Sequence, residues 1–319
     1  MQGLVVVFGG SGFIGTQVVR ALAKRGLRVR AAMRRPWRGY RLRMLGDVGQ
    51  IEVAQANVRV PDSVARALHG AEGCINLVGV LAEQGRQRFE SVHVDGARTI
   101  AETARAAGVR RLGHISALGA DPNGESKYAR SKAAGEAAVR QVMPSAAILR
   151  PSIVFGPEDN FFNRFARMAQ ASPVLPLIGA KTRFQPVFVG DVAAAAVNAL
   201  LDDGAAGTTY ELGGPGTYTF EALMRLMLKE IGRRRLIFDV PFPLAEVIGM
   251  LGDLQASVMP PVITSDQVAS LRSDRVVGAQ SLGLAALGVA PTALEAILPT
   301  YLYRYRKGGQ YADAVSAAA

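Results

Sequence analysis

The chain has 319 residues, 49% of them apolar and 20% charged, which excludes a disordered protein and is ample for one large α/β domain plus a smaller lobe. Its formal net charge of +11 favours a polyphosphate ligand, anionic lipid head groups or an acidic partner. Nucleic acid is not expected, because the basic residues are scattered along the whole chain and no groove-reading motif accompanies them.

In chain order, the first half reads as repeated strand–helix units. The run Leu4-Val5-Val6-Val7-Phe8 is uniformly apolar, as in a strand covered on both faces. A helix is predicted over 13–24, stopped by Gly26, and a second strand over 29–33. Further strands are expected near 51–54, 73–78, 111–116 and 146–149, with helices near 63–68, 87–107 and 126–142. This alternation implies parallel pairing through right-handed crossovers, hence an α/β fold with a Rossmann-type doubly wound sheet. After Pro151 the pattern loosens into a helix over 160–170 and a Pro-rich connector, Ser172-Pro173-Val174-Leu175-Pro176. A short strand over 187–189 and a helix over 192–201 are expected to return to the main sheet. A helix over 220–231, an apolar proline-rich stretch over 241–261 and a last helix over 292–306 complete a smaller, mainly helical lobe. The expected division is 1–155 with 184–214 for the nucleotide domain, 156–183 with 215–306 for the lobe, and 307–319 as a tail.

The single cysteine, Cys74, lies in an apolar strand and reads as a small buried hydrophobe, so no disulfide forms within the chain. His69, His93 and His114 have no ligand spacing, and no metal is expected. A strand starting at Gly3 leaves no room for a signal or transit peptide, and the uncharged run 276–294 is too broken by Gly and Pro to span a bilayer. The expectation is a cytosolic protein, peripheral to a membrane.

The turn after the first strand, Gly9-Gly10-Ser11-Gly12-Phe13-Ile14-Gly15, carries G-x-x-G-x-x-G spacing. Glycines let the backbone approach a pyrophosphate seated on the following helix N-terminus, and strand, turn, helix and strand occur here in the required order. An NAD site ends its second strand with an acid for the ribose 2′-hydroxyl. This chain instead has Arg34-Arg35, followed by Arg38, Arg41 and Arg43, and no Asp or Glu before Asp47. A guanidinium fork suits a 2′-phosphate, so the expected cofactor is NADP(H).

Tyr128 and Lys132 are four residues apart on a predicted helix, and therefore on one face; Ser116 ends the preceding strand. A phenol whose pKa is lowered by an ammonium can pass a proton to a carbonyl, which makes these three the candidate catalytic residues if the chain is active.

These motifs, with Leu149-Arg150-Pro151-Ser152-Ile153-Val154-Phe155-Gly156 and Gln185-Pro186-Val187-Phe188-Val189-Gly190-Asp191, resemble the extended and atypical short-chain dehydrogenase/reductase superfamily over about the first 300 residues. The C-terminal Tyr301-Leu302-Tyr303-Arg304-Tyr305-Arg306 narrows the resemblance to the nucleotide-binding accessory subunits of respiratory complex I, in their bacterial form. The resemblance implies a tightly bound, structural NADPH at the junction of the peripheral and membrane arms, on the cytoplasmic side of the inner membrane. The partners it implies are the core subunits near the quinone site, with peripheral lipid contact. It also implies cofactor contacts at Gly9, Ser11, Gly12, Phe13, Ile14, Arg34, Arg35, Asn57, Val58, Leu77, Val78, Ser116, Tyr128, Lys132, Pro151 and Ile153. Two departures bear on activity: Asn57-Val58 replaces the usual Asp-Val at the adenine, and the interval from Ser116 to Tyr128 is shorter than in the sugar-modifying members. Three functions therefore stay open: a structural subunit, a free-standing NADPH-dependent reductase or epimerase using Tyr128 and Lys132, and a sensor of the NADP(H) ratio.

Overall fold

The computed structural model describes residues 3–255 and 263–311. The strand β1 (Leu4–Phe8) is buried throughout and feeds α1 (Phe13–Lys24). There follow β2 (Arg28–Met33), a 3₁₀ run at Pro36–Leu45, β3 (Ile51–Gln55), α2 (Pro61–Leu68) and β4 (Ala71–Asn76). A π-type turn at Glu90–Val94 leads into α3 (Asp95–Ala106), and β5 (Arg111–Ile115), α4 (Lys127–Val142) and β6 (Ala147–Pro151) come next. Beyond them lie β7 (Val154–Phe155), α5 (Phe162–Ala171), β8 (Val174–Ile178), β9 (Arg183–Phe184), β10 (Val187–Phe188), α6 (Val189–Leu201) and β11 (Thr209–Leu212). The lobe is completed by β12 (Tyr218–Thr219), α7 (Phe220–Glu230), β13 (Leu236–Val240), α8 (Phe242–Gln255), α9 (Ser265–Ser270), α10 (Leu294–Ile297) and α11 (Pro299–Leu302).

The main sheet has the order β11-β6-β5-β4-β1-β2-β3, with every pair parallel. The two-residue period of β1 sends Val5 and Val7 to one face, against Val18, Val19 and Leu22 of α1 and Val192 and Leu200 of α6. Val6 and Phe8 point the other way, towards Val64 and Leu68 of α2, Ile100 of α3 and Val139 of α4. Two covered faces explain why the strands read as apolar runs. A third cluster, built from Phe155, Phe162, Leu175, Leu177, Leu223, Met227 and Leu302, forms the centre of the smaller lobe.

Several elements differ from the sequence expectation. The supposed connector at 172–176 contains β8, which pairs in parallel with β13, and Leu175 and Leu177 alternate inward. Pro176 is tolerated because this sheet has only two strands, so one side of β8 needs no donor. The segment near 187 pairs with β7 in a separate two-stranded sheet, and β11 is the strand that rejoins the main sheet. The last helix is broken into α10 and α11 at Pro299, which cannot donate to a preceding turn. Part of the 241–261 stretch is α8; its end at 256–262, and the tail beyond 311, lie outside the described residues. No helix among the described residues is long and apolar enough to cross a membrane.

Candidate functional site

β1 lies between β2 and β4, where the strand order reverses, the place at which doubly wound sheets bind ligands outside the carboxyl ends of their strands. The glycine turn sits there. Gly9 N–H donates to Ala32 O at 2.9 Å and Leu77 N–H donates to Phe8 O at 3.0 Å, which ties the turn to both neighbouring strands. Gly9 has φ +82°, a conformation that disfavours side chains, and a Cβ on Gly15 would overlap the Gly9 carbonyl oxygen. The first turn of α1 contains no acid, and its N-cap, Gly12, offers no side-chain acceptor. The N–H groups there are left to an external anion. This cradle fits a pyrophosphate.

The other expected contacts fall on the same rim, each at the end of a different strand. Arg34 and Arg35 follow β2 and are exposed; Arg35 lies 6.0 Å from the Trp37 ring. Asn57 and Val58 follow β3, where Asn57 Oδ1 accepts from Arg59 N–H at 3.2 Å and Val58 is buried against α3. Leu77 and Val78 follow β4, and Val78 N–H donates to Asn76 Oδ1 at 3.0 Å. Ser116 follows β5, Pro151 ends β6 and Ile153 comes just after it. The sequence shows no acid beside the arginines, yet the fold brings Glu158 from the loop after β7 to within 3.6 Å of Arg41. It neutralises Arg41 in part; Arg34 and Arg35 enter no ion pair among the described residues.

Ser126 caps α4 by accepting from Ala129 N–H at 3.0 Å, which sets Tyr128 and Lys132 on the inward side. Lys132 is 4% exposed, and its Nζ donates to Ile115 O at 2.8 Å. Burial pulls its pKa down to about 8, opposed by the charge of Glu136, which Arg150 grips through two bonds of 2.9 and 2.7 Å. Burial drives the Tyr128 phenol up to about 12. The cation that opposes this is Arg275, not Lys132 as the sequence suggests, and Asp266 acts in the opposite sense. The Ser116 hydroxyl is buried and has no hydrogen-bond partner among the described residues.

Three residues of this site escape sequence reading. His93 stacks on Phe89 and meets Tyr128 edge-on with centroids 5.5 Å apart. Val80 N–H donates to its Nε2 at 3.0 Å, so Nδ1 carries the proton and donates to Ser131 Oγ at 2.9 Å; that hydroxyl donates to Tyr128 O at 2.8 Å. Asp266 accepts from the N–H groups of Lys127 at 2.5 Å and Tyr128 at 3.2 Å, capping α4 from the smaller lobe. Arg275 reaches over Gly119. Among the described residues, no group of three or more His, Cys, Asp or Glu side chains is arranged to hold a metal.

Residues 5–213, which carry the glycine cradle and the Tyr-x-x-x-Lys helix, match the model of the NAD dependent epimerase/dehydratase family. The chain belongs to that family. Within it, the chain is 35% identical to NADH dehydrogenase (ubiquinone) 1 alpha subcomplex subunit 9, mitochondrial, of Arabidopsis thaliana, over 97% of this chain and 80% of the relative. The Mus musculus protein of the same name is 38% identical over 95% of this chain and 80% of its own length. Among solved structures, the triphenylmethane reductase of a Citrobacter species superposes with a TM-score of 0.75 at 20% identity. That match covers 93% of this chain and 99% of the reductase.

Proposed function

We propose that this chain is an accessory subunit of respiratory complex I that holds NADPH as a structural element, near the junction of the peripheral and membrane arms on the cytoplasmic side of a bacterial inner membrane. The carrying observation is that similarity to the named complex I subunits runs over 95–97% of the chain, and so extends into the part beyond residue 213 that the family model does not match. The division in this reading is 1–155 with 184–214, and 156–183 with 215–306, followed by a tail; the third apolar cluster draws Phe162, Leu175, Leu223 and Leu302 from the second unit together with Phe155 and Phe184 from the edge of the first, while Leu284, Leu287 and Val289 pack on the first.

In this reading Gly9, Ser11, Gly12, Phe13 and Ile14 carry the pyrophosphate, and Arg34 and Arg35 fork onto the 2′-phosphate. Asn57 and Val58 line the adenine. Leu77, Val78, Ser116, Tyr128, Lys132, Pro151 and Ile153 border the nicotinamide end. When bound, the nucleotide would offer a hydride there. The Lys132 ammonium is committed to Ile115 O at 2.8 Å, and the cation whose charge acts on the Tyr128 phenol is Arg275, which supports a structural role.

Helix α8 supplies the docking face. Leu244, Val247, Ile248, Met250, Leu251 and Leu254 are all exposed, Leu254 to 76%, while its two acids are engaged by Arg272 and Ser265. A face this apolar is one that a core subunit or the lipid boundary would cover. The test is isolation from native membranes in detergent. Co-purification with iron–sulfur subunits, and release of stoichiometric NADPH on denaturation, are expected. A soluble homodimer that oxidises NADPH with a ketone would overturn the reading.

A further inference from the structure

The C-terminal run 301–306 packs on the loop that joins β7 to α5, and that loop in turn reaches the glycine turn. The loop is closed on itself. Asp159 N–H donates to Gly156 O at 2.9 Å, and Asp159 Oδ2 accepts from Gly156 N–H at 3.1 Å. The other carboxylate oxygen accepts from Phe161 N–H at 2.9 Å and Asn163 N–H at 3.2 Å, so one buried side chain fixes both ends of the loop.

Towards the nucleotide, the loop is held by packing and one weak ion pair. A Cβ on Gly156 would meet Val189 Cγ1 at 2.8 Å and the Phe13 ring at 3.4 Å, which seats the loop against the first residue of α1. Glu158 lies 3.6 Å from Arg41, but both side chains are exposed, and such a pair contributes at most about 1 kcal/mol. Towards the C-terminus the hold is stronger. Tyr301 OH donates to Asp159 Oδ2 at 2.6 Å in a buried setting, and burial beside that carboxylate raises the phenol pKa, so it stays a donor. Arg304 Nη2 donates to Pro157 O at 2.9 Å and to Asn163 Oδ1, which also accepts from Tyr305 OH at 2.9 Å. Hydrogen bonds to a buried carboxylate outweigh an exposed ion pair, so the C-terminal run sets where the loop sits.

We propose that Tyr301 and Arg304 are positioning residues for the dinucleotide: through Asp159 and Pro157 they hold the 156–163 loop against Phe13 of the glycine turn, and so slow the release of bound nucleotide. Phe13 directly follows Gly12, the N-cap of α1, so a loop fixed against it stiffens the turn that grips the ligand, and a preorganised turn retains its ligand better. This clamp rests on the nucleotide-binding part of the proposed function, not on membership of complex I.

The test loads NADPH onto the purified full chain and follows its dissociation by nucleotide fluorescence during a chase with excess NADP⁺. Y301F and R304Q should each release NADPH about tenfold faster, with little change in the association rate, and R304K should recover part of the loss. Y303F, at an exposed neighbour in the same run, should release it at the unaltered rate. Arg304 is itself exposed, so R304Q carries the test if Y301F does not fold. Unchanged release in both variants would overturn the clamp while leaving nucleotide binding intact, as would a lower melting midpoint of the nucleotide-free variants without faster release. An unaltered chain that binds no NADPH would overturn the nucleotide reading, and the clamp with it.

Discussion

Lys132 Nζ donates to the carbonyl of Ile115 at 2.8 Å, joining the middle of α4 to the last residue of β5. The bond spans two elements of the rim in a buried setting, and the folded chain holds the lysine pKa at about 8, below its ordinary 10.5. Between these values the unfolded chain binds more protons than the folded one, so stability rises with pH across that window. It falls as pH drops through about 8, where the buried amine gains its charge. Tyr128 acts in the other direction: its stabilisation is complete below pH 10 and is lost towards 12. Urea unfolding of K132M across pH 7–10 should show this rise flattened, by up to about 3 kcal/mol. An unchanged pH slope would contradict the burial argument.

Arg34 and Arg35 stand at the end of β2 without an acidic partner among the described residues. Reversing both to glutamate should weaken NADPH about 10- to 100-fold, because two charge-assisted contacts are replaced by repulsion. NADH affinity should change little or improve. Fluorescence titration with both nucleotides separates the outcomes, and equal loss of the two would sink the 2′-phosphate assignment.

G15A places a methyl group against the Gly9 carbonyl oxygen, which no rotamer can relieve. The turn must move away from α1, with an expected cost of about 1–3 kcal/mol and loss of nucleotide retention. Thermal melts with and without added NADPH should show both a lower midpoint and a lost ligand shift.

Substituting Leu251 and Leu254 of α8 by glutamine changes exposed side chains, so the isolated chain should keep its stability to within about 0.5 kcal/mol. Co-sedimentation with native membranes should drop markedly. Full retention would mean that α8 is not the attachment face.

Much of the first half is readable because its signals are local. The glycine turn, the five-residue apolar strands and the Tyr128–Lys132 spacing each report on neighbours a few residues away, and the fold places them on one rim. What sequence does not reveal is assembled from a distance. Glu158 approaches Arg41, Asp266 caps α4 and Arg275 opposes Tyr128 across more than a hundred residues of chain, and no short-range pattern encodes such meetings. Strand β8 is hidden by Pro176 and by Pro173 just before it, although Leu175 and Leu177 alternate correctly, because composition outweighs a two-residue period in so short a run. The lysine's hydrogen bond is hidden for a related reason: helical spacing gives the face it shares with Tyr128 but not the Ile115 carbonyl its long stem reaches.

The capping of α4 by Asp266 also limits how the molecule can be divided. A fragment cut at residue 213, where the family match stops, would keep all seven strands of the main sheet. It would nevertheless leave the opening amides of the tyrosine helix bare, since the carboxylate that satisfies them arrives with α9. The nucleotide half is therefore complete in its strands but not in its polar pairing, and trimming the lobe away would be felt first at Tyr128.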